Sequence, residues 1–261
     1  MCSSSQEIIK KQKRFNLLVL LTQISIIALF IILWEVLTRY NIINSFIFSS
    51  PSLILKTIKD LALQGNLFNH ILTTFYETII AFVLGIVLGF IIAIILYSFK
   101  FIQKVFDPFL TLINSLPKVA LGPILIIWIG ANMNSIIVMA LLINLIVSII
   151  SIYNGFLQVD HNKITLLKSF KASKIQILTN LIIPSSYKTI ISSLKLNISM
   201  SLIGVIMGEF LVSKEGLGYL IMYGTQVFNL NLVMSGIFLL LIFSYILYKT
   251  ITIIEKKLIK F

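Results

Sequence analysis

Few side chains in this sequence are placed to do chemistry. Its 261 residues include nine acidic residues, two histidines and one cysteine. Three ionisable residues fall inside long apolar runs: Glu77, Lys195 and Glu209. A charge at the centre of a membrane helix costs about 2.5–3.5 kcal/mol on insertion scales, so each invites a partner or a role. Glu77 stands near the outer end of its run and is expected to reach interfacial water. Lys195 lies about 16 Å along a straight helix from Pro184. Snorkelling to the inner surface and pairing with an acid are both open to it. Glu209 either caps a helix end or serves function. His70 and His161 are expected at opposite membrane surfaces, so they form no joint metal site. The single Cys2 excludes an internal disulfide and a cysteine-based metal site. There is no GxxxxGK[ST] phosphate loop and no convergent polar constellation at one face. The expectation is a chain with no catalytic residue, metal or cofactor of its own.

The elements that must position these residues are membrane spans. The chain is 58% hydrophobic and 11% charged, with a mean hydropathy of +1.04. No water-soluble domain of this size tolerates that balance, so the class is an all-α polytopic membrane protein. The net charge of +12 does not point to nucleic acid, because no basic patch interleaves with aromatics and the lysines sit at span ends. Residues 1–15 form a polar lead, and Cys2 directly after Met1 is expected to carry no lipid anchor. Residues 16–38 make the first span and 39–70 an external connector, in which Pro51 and Ser52 start an amphipathic helix that Gly65 stops. Residues 71–250 hold the transmembrane core and 251–261 a tail. Six spans follow, with Asp107–Pro108 reading as a helix start. Pro117 and Pro123 should break the third span. Lys10, Lys11, Lys13, Arg14, Lys100, Lys104, Lys163, Lys168, Lys171, Lys174, Lys188, Lys249, Lys256, Lys257 and Lys260 fall on one side, against only Arg39, Lys56, Lys59 and Lys214 on the other. By the positive-inside rule both termini face the cytoplasm.

Two stripes and one loop stand out. Glu77, Ala81, Gly85 and Gly89 recur every four residues and share a helix face. Ser193, Asn197, Ser201, Gly204 and Gly208 likewise share one, a small and polar stripe that either lets helices approach closely or lines a path. The loop 156–183 carries Lys163, Lys168, Lys171 and Lys174 between two apolar runs, long enough to be a docking surface rather than a passive connection. Phe170, between Ser169 and Lys171, is the candidate knob for a partner's groove; the alternative is that it pins the loop to the bilayer or to neighbouring spans.

Aligned on Pro184, the loop keeps Ala172–Ser173, a basic residue at Lys174 and Gln176–Ile177. In this it resembles the ATPase-docking loop of bacterial ABC importer permeases. It departs from that pattern at Thr165 (a glutamate), Leu166 and Leu167 (alanines) and Lys171 (a glycine), so a side chain disfavoured in left-handed geometry must hold the turn. Trp34–Glu35, Ser50–Pro51–Ser52, residues 115–130 (SLPKVALGPILIIWIG) and residues 208–220 (GEFLVSKEGLGYL) are similar to the nitrate, sulfonate and taurine branch of that family. Glu209 matches a family glutamate, whereas Glu77 replaces what is often a basic residue.

The resemblance implies a type I importer permease fold with six transmembrane helices. It also implies a permease working as a homodimer in the cell membrane, with two ATP-binding cassette subunits inside and a substrate-binding protein outside. Contact with the ATPase would then fall to Thr165, Lys168, Ser169, Phe170, Lys171, Ala172, Ser173 and Lys174. The translocation path would involve Pro117, Ser193, Asn197, Ser201, Gly204, Gly208 and Glu209. The expected activity is ATP-driven import of a small anionic or heterocyclic solute by alternating access. A gradient-driven carrier would want inverted repeats and several intramembrane acids, and neither is evident.

Overall fold

The computed structural model describes residues 2–259, and they form helices and turns with no strand among them. Lys260, assigned from sequence to the inner tail, lies outside the described residues. The elements are α1 (Cys2–Arg39), α2 (Ser45–Phe48), α3 (Pro51–Leu63), α4 (Asn66–Ser98), α5 (Lys100–Ser115), α6 (Gly122–Ile129), α7 (Met133–Leu157), α8 (His161–Ser169), α9 (Lys174–Ile177), α10 (Ile183–Val212), α11 (Leu217–Gln226) and α12 (Leu230–Leu258). Five helices are long and apolar enough to cross a bilayer, and α5 with the segment Lys118–Ile129 makes a sixth candidate span bent by 89°. Pro117 sits in that bend and Pro123 in the first turn of α6, where its missing N–H costs nothing.

The centre is a three-helix seam in which α4 and α7 run parallel and α10 runs antiparallel to both. Small residues set its spacing. A Cβ on Gly85 would fall on the Asn144 side chain, and one on Gly204 would fall on the Ala140 backbone. A Cβ on Gly208 would meet Ile136 Cα at 3.0 Å. All four residues of the 77–89 stripe are buried in this seam. Against it α12 packs through Phe243, Leu247 and Ile251, which join Ile198, Leu202 and Leu217 in one apolar cluster. By contrast α1 from Phe15 onward leaves nearly every apolar side chain exposed, and α5 exposes Phe106, Phe109 and Leu112. Such faces suit lipid or another protein, because apolar helices gain nothing from water.

Two expectations about helix ends give way. Asp107–Pro108 starts no helix: α5 begins at Lys100 and Pro108 lies within it. The proline denies the Lys104 carbonyl its usual helical donor, at a residue that is exposed rather than packed in the bundle. The helix that follows the 156–183 loop does not wait for the end of that loop either. Helix runs on from Lys174 through a π turn, Leu178–Ile182, into α10, with Pro184 in the first turn of that helix. The π turn widens the hydrogen-bond ladder where Pro184 withholds an N–H.

The molecule therefore has two ends. One carries α8, α9 and the lysine-rich loop and is called the basic end below. The other carries α3 and α11 and is called the capped end.

Candidate functional site

At the basic end the loop is rigid rather than slack. α8 closes in a Schellman turn, with the Ala172 amide donating to Leu167 O at 3.1 Å and the Lys171 amide to Lys168 O at 2.9 Å. Lys171 occupies the left-handed position of that turn at φ 59°, as the missing glycine led us to expect. Ser173 then opens α9 with a capping box: Gln176 N donates to Ser173 Oγ at 3.3 Å and Ser173 N to Gln176 Oε1 at 2.7 Å. Ile164, Leu167 and Ala172 pack onto Phe156, Ile177 and Ile182 of the bundle. This pinning leaves Thr165, Lys168, Ser169, Phe170, Lys171, Ser173 and Lys174 exposed, with Ala172 half-buried. Phe170 and the neighbouring Ile175 are each 73% exposed. Phe170 thus faces away from the bundle, and the loop is pinned by other residues.

The polar stripe of α10 lies in the seam. Ser193, Asn197, Ser201, Gly204, Gly208 and Glu209 are all buried against neighbouring helices. Ser148 Oγ lies 3.0 Å from Asn197 Oδ1 and 3.2 Å from Asn144 Oδ1, and Asn144 Nδ2 donates to Ala81 O at 3.2 Å. Asn144 so ties α7 to α4 and Ser148 ties α7 to α10, while Asn197 Nδ2 is buried without a partner. Pro117 is not part of this group; it lies in the exposed bend before α6. Asn144 and Ser148 escaped the sequence reading, although an Asn within the run ALLINLIV was a usable signal. A cavity of about 360 Å³ opens beside the seam between α5 and α7, lined by Gln103, Asp107, Thr111, Tyr153 and Asn154.

Lys195 resolves the alternatives left to it by pairing. Its Nζ forms an ion pair with Glu255 of α12, and Ser192 Oγ donates to the same carboxylate at 3.2 Å. Lys195 also sits 5.9 Å from the Tyr248 ring centroid.

At the capped end Glu209 holds the first turn of α11. Gly218 N donates to its Oε2 at 2.5 Å, and Thr74 Oγ1 donates to its Oε1 at 2.6 Å. The Thr74 hydroxyl in turn accepts from Leu217 N at 2.8 Å, and His70 Nδ1 accepts from Gly216 N at 3.0 Å. Three orphan amides at a helix start are thereby satisfied. Glycine is required here: Gly216 has φ 115°, and a Cβ on Gly218 would come 2.7 Å from Glu209 Oε2. Glu77 corrects the expectation that it reaches interfacial water. It is 1% exposed, and so is Glu209 beside it; α11 and the turn before it close over this level of the bundle. Glu35 plays a parallel part nearby, accepting from Ser52 N at 3.0 Å and Ser52 Oγ at 2.8 Å, so two stretches flagged separately in the sequence form one joint between α1 and α3.

Comparison with known proteins agrees with this architecture. The model of the family described as binding-protein-dependent transport system inner membrane component matches residues 85–260. A permease of Bacillus subtilis assigned to aliphatic sulfonate transport is 27% identical over 89% of this chain and 84% of its own length. The taurine transport system permease protein of Escherichia coli is 20% identical over 90% of this chain and 87% of its own. The formylaminopyrimidine transport permease protein of Halalkalibacterium halodurans is 26% identical over 72% of this chain and 74% of its own. Among solved structures, an inward-facing methionine ABC transporter superposes with a TM-score of 0.67 at 16% identity, covering 76% of this chain and 98% of that one. The likeness shows a type I importer-permease fold, as the sequence led us to expect.

Proposed function

This chain belongs to the family of binding-protein-dependent transport system inner membrane components, and from that premise we propose that it imports a small sulfonate-bearing solute at the expense of ATP hydrolysed by partner subunits. The protein is a multi-pass ABC importer permease subunit; the solute, the partners and the sidedness are the proposal. The observation that carries it is the exposed pair Phe170 and Ile175, standing among lysines on a loop that is itself fixed to the bundle. A rigid mount with an apolar knob suits a partner's groove better than a lipid surface, where a flexible loop would serve.

The basic end faces the cytoplasm in this reading, with two ATPase subunits docked on Thr165 and Lys168–Lys174 of a permease homodimer. ATP binding draws those subunits together. The displacement passes from α9 through the unbroken helix into α10 and so into the seam with α7 and α4. Ser193, Asn197, Ser201, Gly204, Gly208 and Glu209 are packed in that seam, so they border a path only when α10 shifts against α7. Pro117, at the bend of α5 and α6, allows that pair to swing without straining a continuous helix. The solute leaves past the cavity lined by Asp107, Tyr153 and Asn154. The sulfonate assignment rests on the two relatives named for aliphatic sulfonates and taurine. A heterocyclic pyrimidine is the second reading, favoured by the formylaminopyrimidine permease.

The test is uptake into proteoliposomes holding this chain, its ATPase and its binding protein. ATP-dependent entry of radiolabelled taurine or an alkanesulfonate, not displaced by an aminopyrimidine, is the expected result. Transport by the purified chain alone on a proton or sodium gradient overturns it. Labelling of a cysteine placed at Ser169 only from the external side overturns the sidedness.

A further inference from the structure

We propose that Glu77 and Glu209 hold a single proton between them at the capped end, and that this proton fastens α11 to the seam of α4 and α10. Both carboxyl groups are buried to 1% exposure, and they are neighbours: Thr74, which donates to Glu209, stands one helical turn before Glu77 on the same buried face of α4. Apart from Glu77, Glu209 meets donors: the Thr74 hydroxyl at 2.6 Å and the Gly218 amide at 2.5 Å, at the positive end of the ten-residue α11. A carboxyl so placed is the ionised member of the pair. Glu77 differs, because its Oε2 is buried with no hydrogen-bond partner at all.

Among the described residues no cation comes to the site. His70, on α4, accepts the Gly216 amide through Nδ1, so its ring is neutral. From the turn before α11, Glu215 accepts from Thr73 at 3.3 Å and Lys214 is exposed. Lys56, Lys59 and Asp60 of α3 are exposed as well. Tyr219 and Tyr223 of α11 stack in line with His70, at centroid distances of 5.8 and 5.7 Å. The titratable residues of α7 and α12, from Tyr153 to Lys257, all lie in the halves toward the basic end. Two carboxylates side by side in a medium of low dielectric, with no counter-charge, repel strongly. One proton turns that repulsion into an O–H···O⁻ bond, with Glu77 donating and Glu209 accepting. The proton then completes a chain that runs through Thr74 to the Leu217 amide. Its loss sets two like charges against each other at the anchor of α11, and the helix loosens.

The proton site stands on the geometry of the single chain. Only its consequence for uptake, a fall as the external solution is made alkaline, rests on the importer reading, so the test below does not depend on transport. Full-length protein in lipid nanodiscs is compared with E77Q by infrared spectroscopy and by hydrogen exchange across a pH series. At neutral pH the wild type should show the carbonyl stretch of a protonated carboxylic acid that E77Q lacks. As pH rises, exchange of the Leu217 and Gly218 amides, corrected for the intrinsic rate, should increase about tenfold in the wild type and stay level in E77Q. E77K supplies the missing cation and should also abolish the pH response, which keeps the question open to test if E77Q does not fold. Identical infrared bands in wild type and E77Q, or superimposable pH responses in wild type and the variants, overturn the proposal.

Discussion

The turn before α9 and the turn before α11 invite comparison. Each joins two helices, and each holds one residue in left-handed geometry, Lys171 at φ 59° and Gly216 at φ 115°. At the capped end the first amides of α11 are answered from within the chain, by His70, Thr74 and Glu209, and the glycines admit a carboxylate to the helix start. At the basic end the backbone is completed by a Schellman turn and a capping box, but the side chains of Lys168, Phe170, Lys171 and Lys174 point outward. The difference separates two jobs. Groups satisfied internally hold the protomer together. Groups left outward, on a loop that is nonetheless rigid, form the surface we propose for a partner.

The comparison predicts unequal losses from similar truncations. Glu209→Ala strips the acceptor from the Gly218 amide, which is then buried and unpaired, and leaves a cavity beside Thr74, whose hydroxyl keeps only the His70 carbonyl. With about 1–3 kcal/mol for the orphaned amide and the cavity added to it, the loss should be about 3 kcal/mol. The matching truncation at the basic end, Thr165→Ala, removes only an exposed bond to His161 O and should stay within about 0.5 kcal/mol. Denaturation of both variants in mixed micelles checks the pair, and equal losses would break the distinction. The seam comes next in size. Gly204→Val drives a branched side chain into the Ala140 backbone and should cost about 1–3 kcal/mol. A melt no lower than wild type would mean that α7 and α10 are not closely packed.

How much of this was legible in the sequence follows the same division. The basic loop could be read because its signals are local: lysines between two apolar runs, a serine three residues before a glutamine, and a missing glycine where the turn needs one. The α10 stripe could be read because helical spacing places its residues on one face. Glu77 was misjudged because its fate is decided by Leu217 and Gly218, more than a hundred residues away, folding back over it. Thr74, Asn144 and Ser148 were missed for the same reason, since an isolated polar residue in an apolar run says nothing about its distant partner. Asp107–Pro108 misled in the other direction. A local start signal was overridden by a helix already running from Lys100.

A smaller effect of opposite sign is expected at Lys171. The left-handed conformation costs an ordinary side chain about 1–2 kcal/mol, and glycine relieves it while giving back about 0.4–1 kcal/mol through the freer unfolded chain. Lys171→Gly should therefore stabilise the protomer by roughly 0.5 kcal/mol, read as a shift of the denaturation midpoint. Destabilisation instead would mean that the lysine stem packs on the loop and that the turn is not strained.

The smallest change in the protomer should come from Phe170→Ala, and there the two ends are separated most sharply. The ring is 73% exposed and lies outside the apolar cluster that pins the loop, whose members are Ile164, Leu167 and Ala172. Truncating it removes almost no buried surface, so the denaturation midpoint should move by no more than about 0.5 kcal/mol. Yet the residue is a large rigid aromatic on a fixed mount, the kind of side chain whose loss from an interface costs about 2 kcal/mol or more. Co-purification of the ATPase should accordingly fall at least about tenfold, with melting unchanged. Leu167→Ala is the control, because it empties a site in the pinning cluster and should lower the melt as well as the binding. If Phe170→Ala melts early and still retains its ATPase, the ring belongs to the fold after all, and the outward loop is no longer the counterpart of the closed capped end.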